Sequence, residues 1–207
     1  MTDKIENGAE PVNTAPAAPE GSDPKKEKQP MTAKRLFKEW ILPFGLEILA
    51  LALIVKFVFF VPIVPTGSME PTIAEHSALF ALRVHDTEKL QRGDIIVFTA
   101  ETPELEGTTL IKRLIGLPGD HVEIADDGTL SINGEVQQES YVVYQGVNAA
   151  RTPYSYDVPE GCYLFMGDNR ANSRDARYWE NPYVSADAIQ GRAIFTLYPF
   201  SNFGKLK

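Results

Sequence analysis

Cysteine occurs once in this 207-residue chain, at Cys162. One thiol excludes an internal disulfide, a C-x-x-C redox pair and a cysteine-rich zinc site. Any part of the chain that works outside the cytoplasm must hold its core without covalent staples. Cys162 itself reads as inert core in an apolar strand. A basic excess is also missing. Lys and Arg total 20 against 28 acidic residues, a net charge of -8, which removes the broad positive surface that nucleic-acid binding needs. Histidines are few, and His76, His85 and His121 stand in no recognisable hydrolase context, while the G-x-S-x-G nucleophile elbow is absent. They read as ordinary surface or core residues. No repeat of solenoid or propeller period is present, and the length suits one domain with an appendage.

What is there is unevenly spread. Residues 1–30 offer only Ile5 and Val12 to bury among Pro, Gly, Asn, Ala and charges, too little to offset the entropy of ordering them, and they read as a disordered tail. A basic juxtamembrane segment, 31–39, carries Lys34, Arg35 and Lys38. From Trp40 to Val61 the chain is almost wholly apolar, and 22 residues at about 1.5 Å rise span roughly 33 Å, the thickness of a bilayer core. Residues 40–62 are therefore expected to form one transmembrane helix. Glu47 and Lys56 lie towards its two ends, where long side chains reach the interface, and nine residues of separation put them on opposite faces. The alternative is a buried core helix, which a chain this small rarely makes apolar on every side. The basic flank leaves the N-terminus in the cytoplasm and sends residues 63–207 across the membrane. That exported part holds the acidic excess.

Residues 63–207 read mostly as strand. Ile95–Phe98, His121–Ile124 turning at Asp126-Asp127-Gly128 into Thr129–Ile132, Tyr163–Met166 and Ala193–Leu197 are short, β-rich and bounded by turn residues. The fold class expected is mainly β, an antiparallel sheet domain with few helices behind one N-terminal helix.

Directly after the span, Pro65-Thr66-Gly67-Ser68-Met69-Glu70-Pro71 must turn, and such a turn can present Ser68. A serine needs a base to become a nucleophile. The histidines do not suggest themselves, but Lys112 sits in the apolar strand Thr109–Gly116, where period-two alternation sends it to the face of Leu110 and Leu114. Burial there disfavours the ammonium, and lowering its pKa from about 10.4 towards 8 needs only roughly 3 kcal/mol. The competing reading has Lys112 snorkelling from a strand edge or paired with an acid. A third cluster, Gly167 to Arg177, holds two Asp, two Asn, three Arg and one Ser, a polar loop able to brace itself and to orient a base.

These segments, in this order behind an apolar span, resemble the bacterial type I signal peptidases, serine proteases that remove signal peptides from exported proteins. Pro65–Thr72 resembles the nucleophile box, Arg92-Gly93-Asp94-Ile95-Ile96-Val97-Phe98 the next, Ile111–Asp120 the box carrying the base, and Gly167–Arg177 the last. Similarity extends over about residues 40–203. Ala171 and Ala176 depart from it, where a polar residue and a serine are common. The resemblance implies Ser68 as nucleophile and Lys112 as general base, with the Ser68 N–H and the Thr66 hydroxyl as oxyanion hole. It implies that Ser173 bonds the Lys112 amine, that Asp175 and Arg177 brace the loop, and that Val64, Met69, Ile73, Leu110 and Ile111 line shallow pockets for small side chains one and three positions before the cut. The partners implied are signal peptides with a small-x-small cleavage site and the phospholipid membrane, the enzyme acting as a monomer in the bacterial cell membrane. No metal or organic cofactor is called for. Two competitors remain: a catalytically inactive membrane-tethered β-domain that binds export partners, and a soluble self-cleaving repressor with the same pair of residues.

Overall fold

The computed structural model describes residues 32–142 and 153–206. The tail expected over 1–30 lies outside the described residues. The chain divides into two compact units between Phe44 and Gly45. The first contributes, among its described residues, α1 (Ala33–Leu36), a π-helical stretch (Phe37–Ile41) and the first residues of α2 (Leu42–Phe57), with the Trp40 and Phe44 rings stacked at 6.2 Å. The helical run Phe37–Phe57, 21 residues, is long and apolar enough to cross a membrane, and none of it is buried.

The second unit, Gly45–Lys207, contains the rest of α2 and all the described strands. The helix stops five residues short of the expected end, because Phe59–Phe60 forms β1 and pairs with β2 (Ala78–Arg83). The local chemistry explains this. Pro62 disfavours helical backbone at Val61, and the aromatic pair Phe59 and Phe60 suits a pleated surface better than a helix end. The freed carbonyls are met by His85, whose Nε2 lies 2.8 Å from Phe57 O, and by the Arg83 N–H on Val58 O.

Ten further strands follow: β3 (Ile95–Thr99), β4 (Thr109–Gly116), β5 (His121–Ile124), β6 (Leu130–Ile132), β7 (Glu135–Val136), β8 (Tyr154–Asp157), β9 (Cys162–Met166), β10 (Tyr183–Ser185), β11 (Ile189–Tyr198) and β12 (Gly204–Lys205). All pair antiparallel. One sheet runs β1-β2-β11-β3-β4-β9-β10 with β12 on β11, and the other β7-β6-β5-β8. The fold is thus mainly antiparallel β with one N-terminal apolar helix. The expected turn joins β5 to β6: Gly128 holds φ +87°, a conformation costly for other residues, and the Thr129 N–H bonds Asp127 Oδ1 at 2.9 Å.

Two apolar cores follow. The larger gathers Phe98, Leu114, Ile115, Val122, Leu164, Phe165 and Trp179, with Phe98 and Phe165 stacked at 4.5 Å. The smaller gathers Val64, Met69, Ile73, Leu79, Ala81, Ile95, Val97, Ile111 and Ala193. Cys162 opens β9 and is half-buried against the larger core, more exposed than its expected place inside a strand.

Candidate active site

The site begins with a short chain that cannot continue a helix. Pro65 enters a 3-10 turn, Gly67–Met69, closed by the Glu70 N–H on Gly67 O at 3.2 Å. Apolar residues on both sides of this turn fold inward, Val64 at 2 %, Met69 at 0 % and Ile73 at 1 % exposure, and so anchor it to the smaller core. Ser68 is carried on the anchored turn and is itself buried. First-turn N–H groups of such a helix have no intrahelical acceptor.

Lys112 comes from β4, which pairs with β3 on one side (Ile96 opposite Lys112) and with β9 on the other (Arg113 opposite Met166). It therefore stands in the middle of the sheet, and the strand-edge alternative fails. Leu110 and Leu114 both pack towards the larger core, as alternation requires, and Lys112 between them is 4 % exposed. Its Nζ lies 2.6 Å from Ser68 Oγ and 3.2 Å from Ile111 O. Burial moves its pKa down from 10.5 to about 8, although the charges of Asp175 and Asp168 pull it upwards. A desolvated amine against a serine hydroxyl is an arrangement suited to nucleophile activation.

The loop after β9 holds both groups in place. The Asn169 N–H bonds Ser68 O at 3.1 Å and Asn169 Nδ2 bonds Gly67 O at 3.1 Å, so one residue fixes the serine turn by two bonds. Arg113 grips Asp168 in a bidentate pair of 2.8 and 2.6 Å, with Gly93 O at 2.7 Å, and Thr72 Oγ1 donates to the same carboxylate at 2.5 Å. Asp175 and Arg177 form a second buried pair at 2.8 and 2.9 Å, and Asp175 also accepts the Gly167 N–H at 2.9 Å. Burial opposes the Asp175 charge, but the hydrogen bonds and charge of Arg177 hold its pKa below the ordinary carboxylate value. Sequence reasoning found Asp175 and Arg177 and missed Arg113, Asp168 and Asn169. Their signal, an Arg beside the lysine and an Asp-Asn pair, was visible only as part of the quoted motifs.

Several expected contacts differ. Ser173 Oγ is buried without a hydrogen-bond partner, near enough to Asp175 to favour its charge but without good bonding geometry, and it does not bond Lys112. The Ser173 side chain instead packs into the space where Gly167 lacks a Cβ. Thr66 is exposed, its Oγ1 3.4 Å from Ser68 Oγ. Of the five proposed pocket residues, Val64, Met69, Ile73 and Ile111 share the smaller core, whereas Leu110 packs against the larger one. Neighbours in a strand face opposite ways, so Leu110 and Ile111 cannot line one pocket from the same side. The three histidines have other partners: His85 on Phe57 O, His76 beside Glu75, and His121 on Asp157 at 2.6 Å. Arg92 braces the strand boxes by an ion pair to Asp120 at 2.9 Å.

Gly167 is the tightest contact in the site. A Cβ there would fall 2.5 Å from Ser68 O and into the Ser173 side chain. Gly167→Ala is therefore expected to displace the serine turn and lower kcat/KM by about 10²-fold, the effect of misplacing a reacting group by roughly 1 Å. Unchanged kcat/KM for a peptide substrate would show that the turn absorbs the methyl group.

Such a buried serine and amine pair, held by a braced polar loop on a β-scaffold, has the composition of a serine hydrolase site. Comparison with known proteins gives the family. Residues 37–198 match the model of the signal peptidase family, peptidase S26. Signal peptidase I P of Bacillus subtilis subsp. natto is 38% identical over 191 residues, covering 86% of this chain and all of that protein. Signal peptidase I T of Bacillus subtilis strain 168 is 33% identical over 90% of this chain and all of its own length, and signal peptidase IB of Staphylococcus aureus strain COL is 32% identical over 82% and 94%. The chain belongs to the signal peptidase family, peptidase S26, and is a serine endopeptidase.

Proposed function

We propose that this chain removes signal peptides from exported preproteins at a membrane surface, with Ser68 as nucleophile and Lys112 as general base. The carrying observation is the 2.6 Å approach of Ser68 Oγ to a lysine whose pKa burial has brought down to about 8. An amine with that pKa is partly neutral near pH 7 and accepts the Ser68 proton as Oγ attacks the scissile carbonyl. The negative charge that develops on the carbonyl oxygen is met by the Ser68 N–H and the Thr66 hydroxyl, and the Lys112 ammonium returns its proton to the leaving amine. A water molecule deprotonated by the same amine then releases the signal peptide from Ser68. Asp175 and Arg177 brace the loop, and Ser173, whose hydroxyl is buried without a hydrogen-bond partner, is proposed to direct the amine. Val64, Met69, Ile73 and Ile111 present a closed apolar floor suited to small side chains, and Leu110, on the opposite strand face against the larger core, is left out of it.

In this reading the helical run ending at Phe57 anchors a monomer in the bacterial cell membrane, with residues 1–30 and the basic segment 31–39 in the cytoplasm and the β-domain outside. A secretory signal has an apolar core that ends near the same face, so anchor and substrate share one plane and the cost of orientation falls. The test is cleavage of a preprotein by the detergent-solubilised full chain beside Ser68→Ala. Product at the wild-type rate from Ser68→Ala would end this mechanism.

A further inference from the structure

Between β7 and β8 the chain places two side chains against Arg170 and Arg113. Glu139 lies within 2.9 and 2.5 Å of the two terminal nitrogens of Arg170, and the Tyr141 hydroxyl donates to Glu139 Oε1 at 2.8 Å. The Tyr141 ring covers the Arg113 guanidinium, 3.9 Å from its centroid. Arg170 and Arg113 are both 2 % exposed, and the Glu139 side chain is 8 % exposed. A buried ion pair and a cation stacked on an aromatic face are strong enough to define a fixed geometry.

Both arginines lead inward to the reacting groups. Arg170 Nε bonds Gly167 O at 3.1 Å, and Arg170 O accepts from Arg177 at 3.0 Å. Gly167 is the residue packed against the Ser68 carbonyl, and Asn169 bonds that carbonyl directly. Arg113 follows Lys112 in β4 and holds Asp168. Two routes of direct contact therefore run from one short strap to Ser68 and to the charges around Lys112.

We propose that Glu139 and Tyr141 are positioning residues for the Ser68–Lys112 pair, acting through Arg170 on the serine turn and through Arg113 on Asp168. This rests on the functional reading above. Neither residue touches the reacting atoms, so loosening the strap acts on turnover rather than on substrate binding. It also acts on the base. The charged groups facing Lys112 are Asp168 and Asp175 from the loop, offset by Arg113 on its own strand and by Arg177, with the neutral Ser68 from the turn. When Arg113 slackens its grip, Asp168 is less neutralised and favours the ammonium, which moves the base pKa upwards.

The experiment measures kcat, KM and the pH dependence of kcat/KM for Tyr141→Leu, Tyr141→Phe and Glu139→Gln in the solubilised full chain, with Ser68→Ala in the same assay. Tyr141→Leu and Glu139→Gln are expected to lower kcat by about 10- to 10²-fold with KM within about twofold, and Tyr141→Leu, which uncovers Arg113, to move the ascending limb upwards so that part of its loss is recovered at high pH. Tyr141→Phe keeps the ring over Arg113 and restores most of kcat. Loss of activity in Tyr141→Leu with the limb unmoved, or a rise in KM alone in either Tyr141→Leu or Glu139→Gln, overturns the proposal, as does full kcat in all three. If Tyr141→Leu fails to fold, the near-isosteric Glu139→Gln decides by the split of kcat from KM, a fall in kcat at unchanged KM supporting the proposal and full kcat overturning it. Cleavage by Ser68→Ala would instead overturn the underlying mechanism, so the two failures are distinguishable.

Discussion

Lys112→Met is expected to leave no measurable preprotein cleavage, a fall of at least about 10³-fold, and at the same time to raise the unfolding temperature at pH 7. The two effects have one cause. Wild-type protein folds Lys112 into a site 4 % exposed, where burial brings its pKa from 10.5 to about 8. Each unit of that shift is about 1.4 kcal/mol, so folding carries a cost of roughly 3 kcal/mol at pH 7 that an apolar side chain of similar length does not. A gain of about 2 kcal/mol corresponds to an increase of about 4–8 °C for a domain of this size. The sign with pH follows from proton counting. Between about pH 8 and 10.5 the unfolded chain keeps a proton that the folded chain has released, so wild-type stability rises across that window. The advantage of Lys112→Met must shrink over the same range and vanish above it. Thermal unfolding of both proteins at pH 7 and pH 10 reads this directly, and a stability difference that does not change with pH would mean that Lys112 is not desolvated.

The same shift governs wild-type turnover. Its kcat/KM is expected to rise with pH along a limb centred near 8, well below a free lysine. A limb at the free-lysine value would contradict both the burial and its use.

How far the chain could be read in advance depended on the range over which each feature is encoded. β4 was legible from end to end because Thr109–Gly116 is apolar, β-branched and bounded by turn residues. The hairpin at Asp126-Asp127-Gly128 was legible because its chemistry is local. β2 was not. Ala78–Arg83 reads Ala-Leu-Phe-Ala-Leu-Arg, rich in good helix formers, and becomes a strand because β11 and β1 bind its two edges. β8, Tyr-Ser-Tyr-Asp, is too short and polar to announce itself. The helix end was misplaced for a related reason, since Phe59 and Phe60 are equally apolar in a membrane helix and in a strand. In the site, Ser68 and Lys112 were found through motif resemblance although 44 positions separate them. The Arg113–Asp168 and Arg170–Glu139 pairs, at separations of 55 and 31, carry no local signature, because a buried ion pair between distant segments exists only once the sheets have brought them together. Ser173 shows the converse. It lies in the polar loop that the sequence singled out, but its side chain packs beside Gly167 and its hydroxyl has no hydrogen-bond partner, a matter of packing that no local pattern encodes.

Asp168→Asn is expected to destabilise the protein by about 3–5 kcal/mol, the cost of leaving one partner of a buried ion pair uncompensated. Asp168 is fully buried and Arg113 is 2 % exposed, so neither charge is screened by solvent. The asparagine keeps the shape of the carboxylate but offers only one oxygen to three donors that now converge on it, Arg113 Nε and Nη2 and Thr72 Oγ1. Its NH₂ group turns two more donors towards the guanidinium. A loss of 3–5 kcal/mol lowers the unfolding temperature by roughly 6–20 °C for a domain of this size. The double variant Arg113→Met with Asp168→Leu should be more stable than Asp168→Asn alone, because removing both charges also removes both desolvation costs. Catalysis separates from stability here. The double variant restores packing but not the link from β4 to the loop that holds Ser68, so it is expected to unfold later than Asp168→Asn yet cleave no faster. A destabilisation below about 1 kcal/mol for Asp168→Asn would place this pair with solvent-screened surface bridges and remove it from the framework of the site.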